Sequence, residues 1–167
     1  DATDPFRCPN ADRGDGRDHV LTPEPPPAAA RFAAHACEQP FARHRELLWT
    51  HRLARARGLS DADWLAMVAA LDRAVAAVDG HGFGSTRCAP HPALAKALSL
   101  GANAVWAKDE THNVSGSHKA RHLFGLALAL EVRERTGLSD PAQRMSRELA
   151  IASCGNAALA AAVVARA

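Results

Sequence analysis

The sequence predicts a three-layer α/β fold in which helices cover parallel strands. In the second half of the chain, strand, loop and helix patterns follow one another twice, which is the order that a parallel sheet requires. Aromatic residues make up only 5% of the chain and alanines are frequent, so helices are favoured over an all-β sandwich. The 167 residues divide into an irregular leader, 1–39, and a domain, 40–167, large enough for one hydrophobic core.

The N-terminal half is predicted to be helical after the leader. Prolines fix φ and remove backbone donors, so their density predicts no regular element in the leader. A helix is expected from about Pro40 to Arg57, ended by Gly58. The next helix begins with a capping box formed by Ser60 and Asp63 and ends at Gly80. Its buried stripe is predicted to contain Trp64, Val68, Leu71, Val75 and Val78.

The second half is predicted to begin with a loop over residues 80–92 and a short helix from Ala93 to Leu100. Residues 104–107 predict a short buried strand, because a mainly apolar run is followed by a charged turn. A long helix is expected from about Ser117 to Thr136, with Gly137 as its stop.

A second unit of strand, turn and helix ends the chain. Residues 138–147 are predicted as a connector, and Glu148 to Ala152 as a strand. The chain then turns at 153–156 into a final helix, whose alanine and valine pattern stops at Ala167 without a cap. Because the sequence also begins at Asp1 rather than at a methionine, we expect a fragment of a longer protein.

Composition excludes several classes of function. A formal charge of +2 indicates no polyanion-binding surface, and no apolar run approaches the roughly 20 residues of a membrane span. The histidines and cysteines lack the spacing of a zinc site, so we expect no bound metal. Widely separated cysteines are typical of free thiols in a reducing compartment, and a cytoplasmic protein is expected. These cysteines are Cys8, Cys37, Cys88 and Cys154.

The first segment that could carry chemistry joins a strand end to a helix start, from Lys108 to Arg121. Backbone amides at a helix N-terminus attract anions, and Ser115, Gly116 and Ser117 keep that approach open. Partial burial would disfavour the ammonium form of Lys119 and make its amine a nucleophile toward an aldehyde. The competing interpretation is a capped turn with a solvated lysine, and the spacing alone favours it.

The second segment, residues 152–158, again joins a strand end to a helix start through small residues. Exposed amides and the Ser153 hydroxyl could hold a carboxylate, and the Asn156 amide could hydrogen-bond a ring oxygen. Taken alone, this segment is better interpreted as a capped turn.

Together the two segments, WAKDETHNVSGSHKAR and SCGNAA, resemble the fold type II family of pyridoxal-phosphate enzymes, the tryptophan synthase β-chain-like group. That family includes threonine synthase, serine and threonine dehydratases and cysteine synthase. It carries K-x-E…N-x-x-G-S-x-K-x-R and, some tens of residues later, S-x-G-N. The resemblance spans about residues 82–167 and implies a partial tryptophan synthase β-like fold with pyridoxal 5′-phosphate as cofactor.

The resemblance implies a role for each matching residue. Lys119 would form the Schiff base with the cofactor and shuttle the Cα proton, while Asn156 would hydrogen-bond the 3′-oxygen of the pyridine ring. Ser117 and His118 would line the phosphate side of the cofactor. The substrate would be met by Ser153, Cys154, Gly155 and Ala157 at its carboxylate, and approached by Asn113 and Ser115.

The sequence departs from the family pattern in two respects. Thr86 is followed by Arg87 and Cys88 where the family often has T-P-L, which changes the early loop. The family's glycine-rich phosphate loop and the residue facing the pyridine nitrogen lie farther downstream than Ala167. We therefore expect the N-terminal part of a catalytic domain, inactive alone.

The implied function is that of an amino-acid lyase or synthase performing β- or γ-elimination or replacement, like threonine synthase or a serine/threonine dehydratase. Two alternatives stay open: a truncated or catalytically silent homologue that serves as a binding or scaffold subunit, and an unrelated α/β domain whose lysine turn binds an anion. A small amino-acid substrate is the expected partner, with no nucleic acid and no membrane. A homodimer is expected only by analogy with the family.

Overall fold

The computed structural model describes residues 8–11, 14–17, 19, 21–22, 32, 37–139 and 150–167. Most of the leader lies outside these ranges, and its described residues contain no helix or strand. The helices are α1 (Pro40–Arg43), α2 (Trp49–Ala56), α3 (Asp61–Asp79), α4 (Pro92–Ala97), α5 (Lys119–Arg135) and α6 (Asn156–Arg166). The strands are β1 (Cys88–Pro90) and β2 (Trp106–Lys108), and short 3₁₀ turns cover Arg45–Leu47 and Val114–Gly116.

The single helix predicted from Pro40 to Arg57 is wrong, because the chain breaks into α1, a 3₁₀ turn and α2. Leu48 is extended, with φ −85° and ψ 125°, and this allows its side chain to pack against the core. The Arg45 guanidinium compensates for the break, since Nη1 donates to the Ala42 carbonyl oxygen at 2.9 Å. Tertiary packing therefore overrides the local helical pattern. Gly58 follows the end of α2 with a positive φ of 91°, as predicted.

The prediction for α3 is confirmed at both ends. Ser60 Oγ accepts a hydrogen bond from the Asp63 backbone amide at 3.0 Å, and an Asp63 carboxylate oxygen accepts one from the Ser60 amide at 2.8 Å. Gly80 ends the helix in the left-handed conformation at φ 91°. Within the predicted stripe Trp64, Val68 and Val75 are buried, Leu71 is half-buried and packs against the core, and Val78 is exposed. Met67 is also buried there, although it was not predicted.

The strands differ most from the prediction. β1 lies where a loop was expected and pairs antiparallel with β2, with Ala89 opposite Ala107. β2 starts later than predicted and is exposed rather than buried, and the Trp106 side chain is 60% exposed. In the part of the chain that the structure describes, these are the strands, and their pairing is not parallel. No helix or loop among the described residues packs over the side chains of β2, and the apolar run therefore stays exposed.

The predicted strand from Glu148 to Ala152 is wrong over residues 150–152, which have no strand conformation. A strand needs a hydrogen-bonded neighbour, and none lies beside this segment within the described ranges. Its first part, and residues 140–147 of the predicted connector, lie outside those ranges.

The helices of the second half follow the prediction with shifted ends. α4 stops at Ala97 instead of Leu100, and its first turn is capped by His91 Nδ1, which accepts from the Leu94 amide at 3.1 Å. α5 begins at Lys119 and is followed by Gly137 at φ 70°, so the predicted stop is confirmed. The final helix is also confirmed, as α6.

The core lies between α3 and α5 and is extended by α6. The Phe41, Phe83 and Phe124 rings form a cluster whose centroids are 4.7 to 5.5 Å apart. The Ala160 side chain brings α6 against this core, and α6 contacts α3, α5 and the 3₁₀ turn Val114–Gly116. Burial of these apolar side chains is the main contribution that holds the helices in place.

Across the described ranges, no helix has both the length and the apolar character needed to cross a membrane.

Candidate functional site

The turn that leads into α5 has an unusual backbone conformation. Ser115 and Gly116 both have positive φ, 55° and 67°, and together they reverse the chain before the helix. This conformation is easy for glycine but costs a serine about 1 kcal/mol. The Ser115 amide donates to an Asp79 carboxylate oxygen at 3.1 Å, which fastens the turn to the end of α3. The strained turn is therefore held by tertiary contacts.

Two polar side-chain atoms in this turn are buried without a partner. Asn113 is only 3% exposed, and its Nδ2 donates to the Ser117 carbonyl oxygen at 2.7 Å. The Asn113 Oδ1 and Ser115 Oγ atoms have no hydrogen-bond partner among the described residues. Buried polar atoms normally find partners, so these two are available to a group that binds beside the start of α5.

Lys119 is the first residue of α5 and its side chain is exposed. The expectation of partial burial is therefore wrong. In the described part of the chain, no hydrogen bond or ion pair engages its ammonium group, and its backbone amide donates to Ser117 Oγ at 3.3 Å. The reason is positional, because the turn places Lys119 on the outer side of the helix start. The amine is accessible to solvent.

The residues predicted to line the phosphate side differ in their environment. Ser117 is buried, and its hydroxyl accepts a hydrogen bond from the Lys119 backbone amide. This hydrogen bond stabilises the start of α5. His118 is exposed.

The second predicted segment forms an exposed turn at the start of α6. The Gly155 amide donates to Ser153 Oγ at 3.3 Å, which closes a small turn. Ser153, Cys154 and Asn156 are exposed, and Ala157 is half-buried. The amides of the first helical residues have no partner within the helix, so this end of α6 can accept an anion. No strand precedes it among residues 150–155.

The fold brings the two predicted segments into one region. α6, which begins within the second segment at Asn156, packs against α5 and against the 3₁₀ turn Val114–Gly116 of the first segment. Residues some 40 positions apart in the sequence thus belong to one packing unit.

The sequence did not predict a charged network that joins the first turn of α5 to the end of β2 and to the loop before β1. Arg121 Nε donates to Glu110 Oε2 at 2.9 Å, and Arg121 Nη2 donates to the Gly84 carbonyl oxygen at 3.2 Å. Thr86 Oγ1 donates to Glu110 Oε1, and Lys108 Nζ donates to the Thr86 carbonyl oxygen at 2.6 Å. The opposite charges of Glu110 and Arg121 were visible in the sequence, but their pairing depends on how the turn folds.

Glu110 remains charged in this network. Its burial acts to raise the pKa of the carboxyl, but the hydrogen bonds from Arg121 and Thr86 and the nearby positive charges hold the pKa below its ordinary value.

A second charged cluster lies away from the candidate site, between α2 and α3. Asp61 accepts from Arg45 Nε at 2.7 Å and from Arg45 Nη2 at 3.0 Å, and His51 Nε2 lies 3.1 Å from Asp61 Oδ1. Burial lowers the pKa of His51, and the Arg45 hydrogen bond lowers that of Asp61. The cluster fastens α2 to the first turn of α3.

An open groove of about 360 Å³ lies beside β1 and does not include Lys119. It is lined by Arg87, Ala89, Pro90, His91, Pro92, Ala93, Ala107 and Asp109. Within the described ranges, no group of three or more His, Cys, Asp or Glu side chains is arranged to bind a metal.

Comparison with known proteins identifies the second half of the chain. No curated protein and no solved structure is significantly similar to it. A family model described as pyridoxal-phosphate dependent enzyme matches residues 81–167, which is more than half of the chain and includes both predicted segments. The chain therefore belongs to the family of pyridoxal-phosphate dependent enzymes, whose cofactor is pyridoxal phosphate.

Proposed function

We propose that the protein of which this chain is part is an amino-acid lyase or synthase that depends on pyridoxal phosphate, and that Lys119 forms the Schiff base with the cofactor. The reaction is β- or γ-elimination or replacement on a serine- or threonine-like substrate, as in threonine synthase or a serine/threonine dehydratase. The observation that supports this best is the family match over residues 81–167, which includes Lys119 and the turn at the start of α6. The Lys119 side chain has no ion-pair partner among the described residues, so it is accessible to the cofactor.

The residues around Lys119 fit the cofactor. The aldehyde of the cofactor condenses with a lysine amine. No carboxylate among the described residues forms an ion pair with the Lys119 side chain. The turn before α5 also holds two buried polar atoms without a partner among the described residues, Asn113 Oδ1 and Ser115 Oγ, which could accept hydrogen bonds. Gly116 at φ 67° also allows a tight turn where a larger residue would be strained.

When bound, pyridoxal phosphate supplies an electron sink for negative charge at the substrate Cα. Lys119 would hold the cofactor through its amine and would move the proton at that carbon. The Asn156 side-chain amide would donate a hydrogen bond to the 3′-oxygen on the pyridine ring. The substrate carboxylate is received by the turn Ser153–Ala157, including Cys154 and Gly155, because amides at the start of α6 favour an anion.

The remaining assignments are part of the same proposal. Ser117 and His118, at the start of α5, would line the phosphate side of the cofactor, and Asn113 and Ser115 would approach the substrate. The complete domain has the three-layer arrangement with parallel strands. The protein is cytoplasmic, and homodimeric by analogy with its family.

A second candidate is a catalytically silent homologue that serves as a binding or scaffold subunit. The observation that favours it is the exposure of Lys119 and of residues 153–156, because an active centre needs its reacting groups shielded from water.

The number of lysines makes the test sharp, since the chain contains only Lys96, Lys108 and Lys119. Pyridoxal phosphate is added to the purified protein, the linkage is reduced with borohydride, and the modified lysine is identified by peptide mass mapping. We expect Lys119 to carry most of the label and the visible absorption of the Schiff base to disappear in Lys119→Ala. Lys96→Ala, which removes another exposed amine, is the matched control.

Equal labelling of the three lysines, or an absorption band that survives in Lys119→Ala, would contradict the assignment. Specific labelling of Lys119 without turnover of serine or threonine by the full-length protein would favour the silent homologue.

A further inference from the structure

Behind the start of α5, one half-buried charged pair connects three separate parts of the chain. The Glu110 side chain is 15% exposed and that of Arg121 is 26% exposed, and Nε and Oε2 are 2.9 Å apart. Arg121 also donates to the Gly84 carbonyl oxygen and, at 3.4 Å, to Thr86 Oγ1. The loop before β1, the end of β2 and the first turn of α5 are thereby joined through one guanidinium group.

The position of Arg121 on α5 relates this pair to Lys119. Successive residues of an α-helix are about 100° apart, so residues two positions apart lie about 200° apart around the axis. Arg121 and Lys119 therefore extend from nearly opposite sides of the first turn. When Arg121 is held on the Glu110 side, the helix start cannot rotate, and Lys119 is directed away from Glu110.

The chemistry of the pair suits a precise anchor. Arginine presents several donors in a rigid plane, so contacts to a carboxylate, a carbonyl oxygen and a hydroxyl fix both its place and its orientation. Thr86 Oγ1 also donates to Glu110, so the carboxylate is held from two directions. Lysine at this position would keep the charge but would lose the geometry.

We propose that Glu110 and Arg121 are positioning residues that set the direction in which the Lys119 side chain leaves α5. The inference rests on the proposed role of Lys119 in holding the cofactor. Neither residue touches the reacting atoms in this proposal. They act by holding the first turn of α5, which carries Lys119. Ser117 Oγ also holds this turn, since it accepts a hydrogen bond from the Lys119 backbone amide.

The other end of the same helix provides a matched control. Arg135 Nε lies 3.1 Å from Glu131 Oε2, so it forms the same kind of contact. Arg135 is sixteen residues from Lys119, or about 24 Å along the helix. A variant at Arg135 therefore changes helix stability without changing the direction of Lys119.

The test compares Arg121→Lys and Glu110→Gln with Arg135→Lys. Each protein is treated with a limiting amount of pyridoxal phosphate and reduced, and the label on Lys119 is divided by the label on Lys96. We expect this ratio to fall about tenfold in Arg121→Lys and Glu110→Gln, because even small misplacement of a reacting group lowers its reactivity strongly. The ratio should stay at the wild-type value in Arg135→Lys. The double variant should be no worse than either single variant, since both remove the same anchor.

The outcomes separate this inference from the proposed function. If the wild-type protein shows no preference for Lys119, the proposed function fails. If the wild type prefers Lys119 and Arg121→Lys and Glu110→Gln keep that preference, only the positioning role is refuted. Loss of the circular dichroism signal in both variants, with Arg135→Lys still folded, would also refute it, because the pair would then be needed for the fold as a whole.

Discussion

Replacing Asp61 by asparagine removes the negative charge that holds α2 against the start of α3. The carboxylate accepts two hydrogen bonds from Arg45, lies next to His51, and occupies the first turn of a helix, where a negative charge is favourable. Hydrogen bonds to charged groups contribute about 1.5 to 3 kcal/mol when they are well shielded. The Asp61 side chain is 43% exposed, so solvent screening reduces this value.

We therefore expect Asp61→Asn to lower the free energy of unfolding by about 1 to 2 kcal/mol at neutral pH. For a chain of this size, that change corresponds to a decrease of roughly 3 to 6 °C in Tm. The assay is urea unfolding followed by circular dichroism, with thermal unfolding as a second measurement. Asp63→Asn is the matched control, because it removes a charge from the same helical turn without touching Arg45 or His51, and its loss should be smaller.

The pH dependence follows from the direction of the pKa shifts. The pKa of Asp61 lies below its ordinary value of 3.8, mainly because of the Arg45 hydrogen bond. The stability from this carboxylate is therefore present above pH 3.8 and is lost as the pH falls through the lower pKa of the folded state. Burial lowers the pKa of His51 below its ordinary value of 6.5. Protonation of the His51 imidazole therefore causes a separate loss of stability as the pH falls below 6.5. The difference between the wild type and Asp61→Asn should become smaller below pH 3.8. A difference that stays constant down to strongly acidic pH, or Asp63→Asn losing as much as Asp61→Asn, would refute this reasoning.

Other substitutions test the core, the caps and the site. Phe124→Ala should destabilise the protein by about 3 to 5 kcal/mol, because this ring is fully buried in the phenylalanine cluster, and urea unfolding would measure the loss. Ser60→Ala removes the side-chain acceptor of the Asp63 amide and should lower the free energy of unfolding by about 1 kcal/mol in the same assay. Thr86→Ser keeps a hydroxyl near Glu110, so its effect on the free energy of unfolding should be smaller. Gly116→Ala should lower the stability by about 1 kcal/mol because of its positive φ, and should also reduce labelling of Lys119 by pyridoxal phosphate. Asn156→Ala changes an exposed side chain, so Tm should hardly change while the affinity for pyridoxal phosphate, measured by absorption titration, decreases.

Local signals in the sequence were sufficient for several elements. The capping box of Ser60 and Asp63 and the stop at Gly80 act within one helical turn, so α3 could be located from neighbouring residues alone. The same applies to α5 and its stop at Gly137. The segments around Lys119 and Asn156 were found because their residue types and spacing match a family pattern, and the family match includes both.

Contacts between distant residues decided the rest. β2 pairs with the chain near Cys88, and a pairing with a distant segment cannot be recognised from neighbouring residues. The antiparallel arrangement of β1 and β2 was therefore not predicted. The break at Leu48 depends on the core that receives its side chain, and the exposure of Lys119 depends on the turn at Ser115 and Gly116. The Glu110–Arg121 pair needs the loop at Gly84 to be folded against it. Capping and helical periodicity are properties of neighbouring residues and can be read from the sequence, whereas burial and charge pairing are properties of the assembled core and arise only when the chain is folded.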